Sequence, residues 1–591
     1  MCGIVGFASK EKNKKQIIKK MADRIKHRGP DGEGYYTDDF VALGHRRLSI
    51  IDLAAGSQPM YNEDETKVIV FNGEIYNYIE LKDELKKNHE FKTSCDTEVL
   101  IHGYEEWGVE LPKKLRGMFA FAIWDKENQT LFCARDHFGI KPFYYYECEG
   151  TLLFASEIKS FLEHPAFKKE LNKELIGPYL SFSFTPTTET FFKGVYRLDP
   201  GCTLTYHEGE LKINRYYNIT FNAKEKDFDK TVFNINETMK DSVNHHMLSD
   251  VEVGSFLSSG IDSSYIVTLA KPDKTYTVGY DNPKYNEIEY AEDLANCLNI
   301  KNTSKKITKE EYKNIVPKIL YHMDEPSSDP AAIMLYFVSE LASQDVKVVL
   351  SGEGADEFFG GYNNYREEVD LKWYNKIPYP FRRFAAIFFS ILPEFPGRNF
   401  IVRRGTKLET DYIGVNKVYS ERERKKVLNC KDTIKNKELT QPIFETVKGK
   451  DNITKKQAID IHFWLIKDIL QKADRMTMAN SIEGRVPFID KEVFKIASTL
   501  TEREKVTKEN TKIALREAAK KEIPNESYKK KKLGFPVPLR EWLREDDFYN
   551  EVKNTFKQDY VKETSKNINT KIKINDEIIL SNYFKKRETY K

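Results

Sequence analysis

The stretch VEVGSFLSSGIDSSYIVTLA, residues 251–270, decides how the second half of the chain is read. It passes from an apolar run suited to a buried strand, through a turn of small residues, into an apolar run suited to a helix. In an α/β sheet, ligands collect at the carboxyl ends of the strands. Ser258, Ser259 and Gly260 let the backbone approach a ligand closely. Ser263 and Ser264 stand at the helix start, where free N–H groups and the helix dipole favour an anion. Asp262 sets a carboxylate beside that anion, which is useful only if a cation bridges the two. The loop therefore predicts a phosphate group with Mg2+. A Walker loop would need Gly-Lys-Ser/Thr after its glycines, and neither tripeptide occurs. Taken alone, the loop is equally readable as an ordinary Ser-rich helix cap.

Working outward, TYTVGY (275–280) and VKVVL (346–350) read as further buried strands, with helical runs at 229–248, 285–298, 308–322 and 330–344. Such alternation implies a mainly parallel sheet with covered faces and added helices. VVLSGEGADEFFGGY (348–362) is again a strand running into a Gly-rich turn, this time with acids at Glu353, Asp356 and Glu357. One anion-friendly loop and one acidic loop at strand ends are what a Mg-ATP site needs. Residues 365–480 read mostly as helix, and 546–591 as a charged tail.

The first half has a different period. KVIVFNGEIYNY, MFAFAIWD, TLFCARD, PFYYYECEGTLLFAS and GCTLTYHEGELKINRYY are short aromatic and β-branched runs with CEGT and HEGE as hairpin punctuation. Many short strands in a row suggest two packed sheets. The polar NITFNAKEKDFDK (218–230) reads as a linker. The chain opens MCGIVGF, which puts Cys2 where removal of Met1 would expose it. A terminal amine titrates near pH 7.7–8.0 and can serve the thiol as base, as in the N-terminal threonine hydrolases.

The 591 residues suggest two or more domains. The 94 basic and 91 acidic residues nearly cancel, which argues against a dedicated nucleic-acid binder. Seven scattered cysteines with no CxxC pair suggest neither a disulfide framework nor a zinc site, and fit a reducing compartment. His45, His245 and His246 read as structural or exposed rather than as metal ligands, and no spacing argues for zinc. There is no apolar signal-peptide core, and FAAIFFSIL (384–392) is too short to span a bilayer. A soluble cytoplasmic protein is expected.

Several stretches resemble a known family. SSGIDSS resembles the SGGxDS loop of ATP pyrophosphatases, with Ser259 where glycine is usual. LSGEGADEFFGGY, KADRMTMANSIEGRVPFID (472–490) and KKLGFPVPLREWL (531–543) look like the remaining signatures of the glutamine-dependent asparagine synthetases. MCGIVGF, HRGPDGEG (27–34), GHRRLSIID (44–52), FNGEIYNY (71–78) and SCDTEVL (94–100) look like their class II glutamine amidotransferase domain. The resemblance implies an α+β N-terminal domain, an αββα sandwich of two antiparallel sheets at 2–210, ahead of an α/β ATP-pyrophosphatase domain at 228–545.

It also implies roles. Cys2 would be the nucleophile, with Asn72 and the Gly73 N–H as oxyanion hole. Arg47 would grip the glutamine carboxylate and Asp96 its α-ammonium, with Leu48, Ser49, Ile50, Ile51 and Glu74 completing the pocket. Singly, Arg47 could be a surface ion pair and Asp96 a helix N-cap. ATP would meet Leu257, Ser258, Ser259, Gly260, Asp262, Ser263, Ser264, Val278, Ser351 and Gly352, with Mg2+ on Asp262 and Asp356. Glu353 would act as base for incoming ammonia, and Lys532, or Lys531 in the same lysine run, would stabilise phosphate charge. Asp324 and Asp329 are weaker candidates beside the site. The expected substrates are glutamine, aspartate and ATP, with AMP, pyrophosphate and glutamate as by-products. No nucleic acid or membrane is expected, and a homodimer stays open. The nearest rival is an amidotransferase of the same architecture acting on a sugar acid or cell-envelope precursor. A β-lactam-synthetase-like cyclase would lack Cys2, and a tRNA-modifying enzyme would need an RNA-binding module.

Overall fold

The computed structural model describes residues 2–370, 372–393, 395–429, 433–528, 537–542, 544–545 and 550. Among them the first strands in chain order are β1 (Gly3–Ala8), β2 (Gly32–Thr37), β3 (Val41–Arg47), β4 (Met60–Tyr61), β5 (Lys67–Ile75) and β6 (Gly117–Asp125). They are followed by β7 (Thr130–Arg135), β8 (Tyr144–Cys148), β9 (Thr151–Ala155), β10 (Val195–Arg197), β11 (Cys202–His207) and β12 (Glu210–Arg215). These strands form two sheets, β10-β8-β9-β1-β3-β2 and β12-β11-β7-β6-β5-β4, and every pairing within them is antiparallel.

Side chains alternate across a strand, and that alternation builds four layers. Ile4 and Ala8 of β1 and Val41 and Leu43 of β3 meet Val68 and Val70 of β5 between the sheets. The intervening Val5 and Phe7 turn outward onto Ile18 and Met21 of the helix Lys14–Asp23. On the other sheet, Ile69, Phe71 and Ile75 turn outward onto Leu81 and Val99 of the helices Tyr78–Leu85 and Asp96–Trp107. This is the expected αββα sandwich. The punctuation is also as read. Cys148 pairs with Thr151 and His207 with Glu210, so each hairpin turns on two residues. Both turns are Glu-Gly with positive φ throughout: 49° and 74° at Glu149 and Gly150, 50° and 84° at Glu208 and Gly209. That is the twist-matched hairpin geometry which glycine makes cheap.

The polar stretch after β12 is no free tether. Phe221 is buried against Phe494, with ring centroids 5.6 Å apart. The N–H groups of Asn222 and Lys224 donate to the carbonyls of Ser498 and Thr499.

In the second half, β13 (Val253–Phe256), β14 (Lys274–Tyr280), β15 (Lys301–Ile307), β16 (Val348–Leu350) and β17 (Glu483–Arg485) form a parallel sheet ordered β15-β14-β13-β16-β17. Sequence reading found β13, β14 and β16. It missed β15, a polar edge strand (KNTSKKI) without a buried-strand signature, and β17, only three residues long. The expected helices lie at Phe228–His246, Ile288–Cys297, Lys309–Met323 and Ala331–Ala342. From β13 the chain steps outward to β14 and β15, then returns to β16 on the other side of β13. The loops after β13 and β16 are therefore neighbours at a topological switch point, where such sheets bind ligands. FAAIFFSIL falls mostly within the helix Tyr379–Ile391. No described helix is long and apolar enough to cross a membrane.

Candidate active sites

Cys2 directly precedes β1 and Asn72 lies near the end of β5. They have the same parity as Ile4 and Val70, the residues that face between the sheets. Strand alternation thus points both into one space at the end of the sandwich. The Cys2 N–H donates to Asn72 Oδ1 at 3.1 Å. Asn72 is fully buried, and its Nδ2 has no hydrogen-bond partner. An amide donor held this way is ready for an incoming oxygen, because leaving it buried and unmet costs about 1–3 kcal/mol. Next to it, a Cβ on Gly73 would collide with the Met118 carbonyl oxygen. Burial raises the pKa of the Cys2 thiol, against the pull of the Leu48 N–H and Arg47. A thiol so placed needs a base.

The segment after β3 runs beside Cys2, whose thiol the Leu48 N–H meets. Leu48 and Ile50 are buried, Ile51 packs against the same core, and the Ser49 N–H donates to Asp31 Oδ2 at 2.8 Å. Arg47 is no surface ion pair: its guanidinium bonds the carbonyls of Asp52 and Leu53 at 2.6 and 3.2 Å. Nor does Asp96 cap its helix. Cys95 is the N-cap residue, with no side-chain cap bond, and Asp96 Oδ2 accepts the Ile75 N–H at 2.9 Å. Burial pushes the Asp96 carboxyl up to about 6. Burial, then Glu483 and Asp96 nearby, raises Glu74 well above the usual carboxylate range. This is a buried acidic wall with Arg485 as its neighbouring cation.

At the switch point, the Ser258 N–H donates to Ser263 Oγ at 3.1 Å, and the Ser263 and Ser264 hydroxyls donate to the Gly260 carbonyl at 3.1 and 2.9 Å. The Ser259 N–H donates to Glu287 Oε2 at 3.3 Å. A Cβ on Gly352 would stand 3.1 Å from the Ser263 nitrogen, so glycine lets the two loops touch. Leu257, just after β13, and Val278 of β14 are buried, and Thr277 Oγ1 donates to the Leu257 carbonyl at 2.9 Å. Lys512 Nζ lies 2.7 Å from both Asp262 oxygens and 2.6 Å from Asp356 Oδ1. Two acids from different loops thus share one cation. The Ser351 hydroxyl donates to Glu353.

The two sites share a wall. The Arg485 carbonyl, at the end of β17, accepts the Ser351 N–H at 2.8 Å. Its side chain lies 3.6 Å from Glu74 Oε1 and is anchored on the carbonyls of His246 and Leu248 at 2.8 and 2.6 Å. A buried fork adds a second tie. Arg28 donates to the Cys2 carbonyl at 3.1 Å and to Asp474 at 2.8 and 3.1 Å.

Lys512, Arg485 and Arg28 were not singled out from the sequence. Lys512 sits in TKIALREA and Arg28 and Arg485 in quoted motifs, but only the contacts give them purpose. Asp324 accepts the Ile158 N–H at 2.8 Å, and Asp329 pairs with Lys472. His45 and His246 are buried and structural, and His245 pairs with Asp241 at 3.4 Å. Lys531 and Lys532, and most of 546–591, lie outside the described residues.

Residues 1–217 match the family described as glutamine amidotransferase domain, and residues 234–578 the family described as asparagine synthase. A Bacillus subtilis protein named asparagine synthetase [glutamine-hydrolyzing] 1 is 44% identical over 559 residues, 92% of this chain and 88% of the relative. A putative asparagine synthetase [glutamine-hydrolyzing] of Mycobacterium bovis is 39% identical over 577 residues, 92% of this chain and 88% of the relative. Asparagine synthetase [glutamine-hydrolyzing] 3 of Bacillus subtilis is 32% identical over 587 residues, again 92% of this chain, and 89% of the relative.

Proposed function

The chain belongs to the glutamine-hydrolysing asparagine synthetases, and on that premise we propose how its two sites divide the work. The enzyme converts aspartate, ATP and glutamine to asparagine, AMP, pyrophosphate and glutamate. In the first site the Cys2 sulfur attacks the glutamine amide carbon. Removal of Met1 turns the Cys2 nitrogen into an amine, which takes the thiol proton and passes it to the leaving ammonia. The developing oxyanion is met by Asn72 Nδ2 and the Gly73 N–H, the kind of preorganised donor pair that usually gives the largest share of such catalysis. Arg47 receives the substrate carboxylate, and Asp96 with Glu74 the α-ammonium. Water then releases glutamate from the thioester.

In the second site an aspartate β-carboxylate oxygen attacks the α-phosphorus of ATP, and pyrophosphate leaves. Ammonia attacks the carbonyl of the resulting aspartyl adenylate, Glu353 takes a proton from the adduct, and AMP departs. The loop of Ser258–Gly260, Ser263 and Ser264 holds the phosphates. Asp262 and Asp356 fit Mg2+, since they offer hard carboxylate oxygens that already converge on a single cation. Bound there, the ion would offset phosphate charge. Lys532 is proposed beside it.

The observation that carries this reading is Arg485, whose backbone bonds the ATP loop while its side chain borders the glutamine pocket. Ammonia made on one side of β17 is consumed on the other. An acceptor screen tests the reading: protein, ATP, Mg2+ and ammonium are given candidate carboxylates, and pyrophosphate is measured. Release with aspartate is expected. Release only with a sugar acid or an envelope precursor would favour the rival amidotransferase. We place the enzyme in the cytoplasm.

A further inference from the structure

Away from both sites, four side chains from three segments meet on the outer face of the sandwich. Glu63 lies in the β4–β5 turn and His89 in the connection after the helix Tyr78–Leu85. His102 and Glu105 lie one turn apart on the helix Asp96–Trp107. One ligand atom from each falls within 4.8 Å of all the others. The two imidazoles stack with centroids 4.7 Å apart, and both turn Nδ1 inward. His102 Nδ1 is 3.1 Å from Glu105 Oε2 and 3.3 Å from Glu63 Oε2. His89 Nδ1 is 3.2 Å from Glu63 Oε1 and 3.6 Å from Glu105 Oε2. A tetrahedral zinc site with bonds of ~2.0–2.2 Å has ligand–ligand edges of about 3.3–3.5 Å; the separations here run from 3.1 to 3.6 Å, with Glu63 meeting His102 through Oε2 and His89 through Oε1, so one Glu63 oxygen turns inward to complete a single tetrahedron.

Other groups orient these ligands from outside. His89 Nε2 faces Glu106 Oε1 at 3.1 Å, the carboxylate–histidine pairing that fixes a metal-binding tautomer. His102 Nε2 makes no hydrogen bond; Glu98 Oε1 lies 3.8 Å from it. The free oxygen of Glu105 accepts Asn62 Nδ2 at 2.6 Å, and Glu63 Oε1 also accepts the Glu90 N–H at 3.1 Å. His102 is 1% exposed and His89 11%, while Glu63 keeps 32%. The centre is therefore shielded but reachable. An open depression of about 690 Å³, lined by His89, Thr93, Ser94 and Asp52 among others, gives the approach.

We propose that Glu63, His89, His102 and Glu105 bind a divalent first-row metal ion, Zn2+, in tetrahedral geometry. Two imidazoles with two carboxylates are a borderline nitrogen and oxygen set that suits zinc. The ion ties the β4–β5 turn and residues 86–95 to the helix that begins at Asp96. It therefore braces the α-ammonium end of the glutamine pocket. This second part rests on the role proposed above for Asp96; the metal site itself does not.

The test uses the full chain, stripped with chelator and titrated with Zn2+ and with Co2+. Metal is counted after desalting, and the cobalt absorption recorded. We expect about one ion per chain with tetrahedral cobalt bands. Stoichiometric binding should be lost in His89→Ala and Glu63→Gln, and affinity lowered roughly 10–100-fold in the outer variant Glu106→Gln. Circular dichroism establishes that each variant is folded, and Glu106→Gln keeps every ligand should His89→Ala fail to fold. Metal content no higher than trace, or unchanged content in all three variants, would overturn the site and leave a proton-linked ion cluster. Metal removal should raise the glutamine KM while sparing ammonia-dependent synthesis. Zinc bound with an unchanged glutamine KM would overturn the bracing of Asp96 alone, and loss of glutaminase in Cys2 variants would be untouched by either result.

Discussion

Asn72 reaches its pocket by parity, whereas Asp262 and Asp356 reach theirs by strand order. In the antiparallel sandwich, a residue two places along β5 from Val70 must face between the sheets, and Cys2, just before β1 and two places from Ile4, does the same. In the parallel sheet, no alternation brings Asp262 to Asp356. They meet because β13 and β16 are neighbours although α and β segments intervene in the chain. Antiparallel architecture therefore writes a site into local pattern. Parallel architecture leaves it to topology, which local pattern does not encode.

The sharpest way to break this division is Cys2→Ala. Glutamine-dependent synthesis should vanish and ammonia-dependent synthesis persist, since the ATP loop owes nothing to the Cys2 side chain. Equal loss of both in a steady-state assay would mean the sites are not separable. Next, Asp262→Asn and Asp356→Asn should each weaken ATP use with either nitrogen source. Removing a carboxylate that offsets phosphate charge costs on the order of several kcal/mol in the transition state. An unchanged ATP–pyrophosphate exchange rate would remove that residue from the site.

A smaller effect is expected from Glu353→Gln. Glutamate formation should continue while asparagine formation falls by roughly 10²–10⁴, the range for general base catalysis. Normal asparagine yield would sink the assignment, and parallel loss of glutaminase would indicate misfolding. The smallest effect is in pH. Burial raises Asp96 to about 6, so it is a carboxylate above that value and a neutral acid below it. Glutaminase kcat/KM, already falling below the pKa of the Cys2 amine, should then steepen by roughly a further tenfold per pH unit below that point, because the profile reports groups of the free enzyme. Asp96→Asn should remove this added steepness at a low level of activity. A wild-type profile that does not steepen down to pH about 5 would exclude Asp96 as the ammonium ligand.

How far each site was legible follows the same contrast. The β5 motif FNGE carries Asn72, Gly73 and Glu74 together at the end of a β-branched and aromatic strand buried on both faces, so both element and residues could be read. Asp96 taken singly read as a helix cap, and its bond to the Ile75 N–H removes that reading. Ser258–Ser264 announced an anion loop, but Lys512 carries no local signature. Its purpose appears only where it holds two acids from distant loops. β15 and β17 escaped for related reasons: a polar edge strand has one covered side to reveal itself, and three residues show no period.

By itself the sequence determined the two classes of architecture, the order of the halves, the Gly and Ser loops and the cysteine that follows Met1. Those are properties of neighbouring residues: alternation, turn chemistry and the small side chains a backbone needs to approach a ligand. Only the tertiary structure decided that Arg485 borders both sites and that Lys512 spans two loops. The same holds for Glu63 and His89, which reach His102 and Glu105 from other segments. Those contacts depend on which strands lie side by side and which loops close on them. That choice is made by burial of the whole core, to which no short stretch of chain has access.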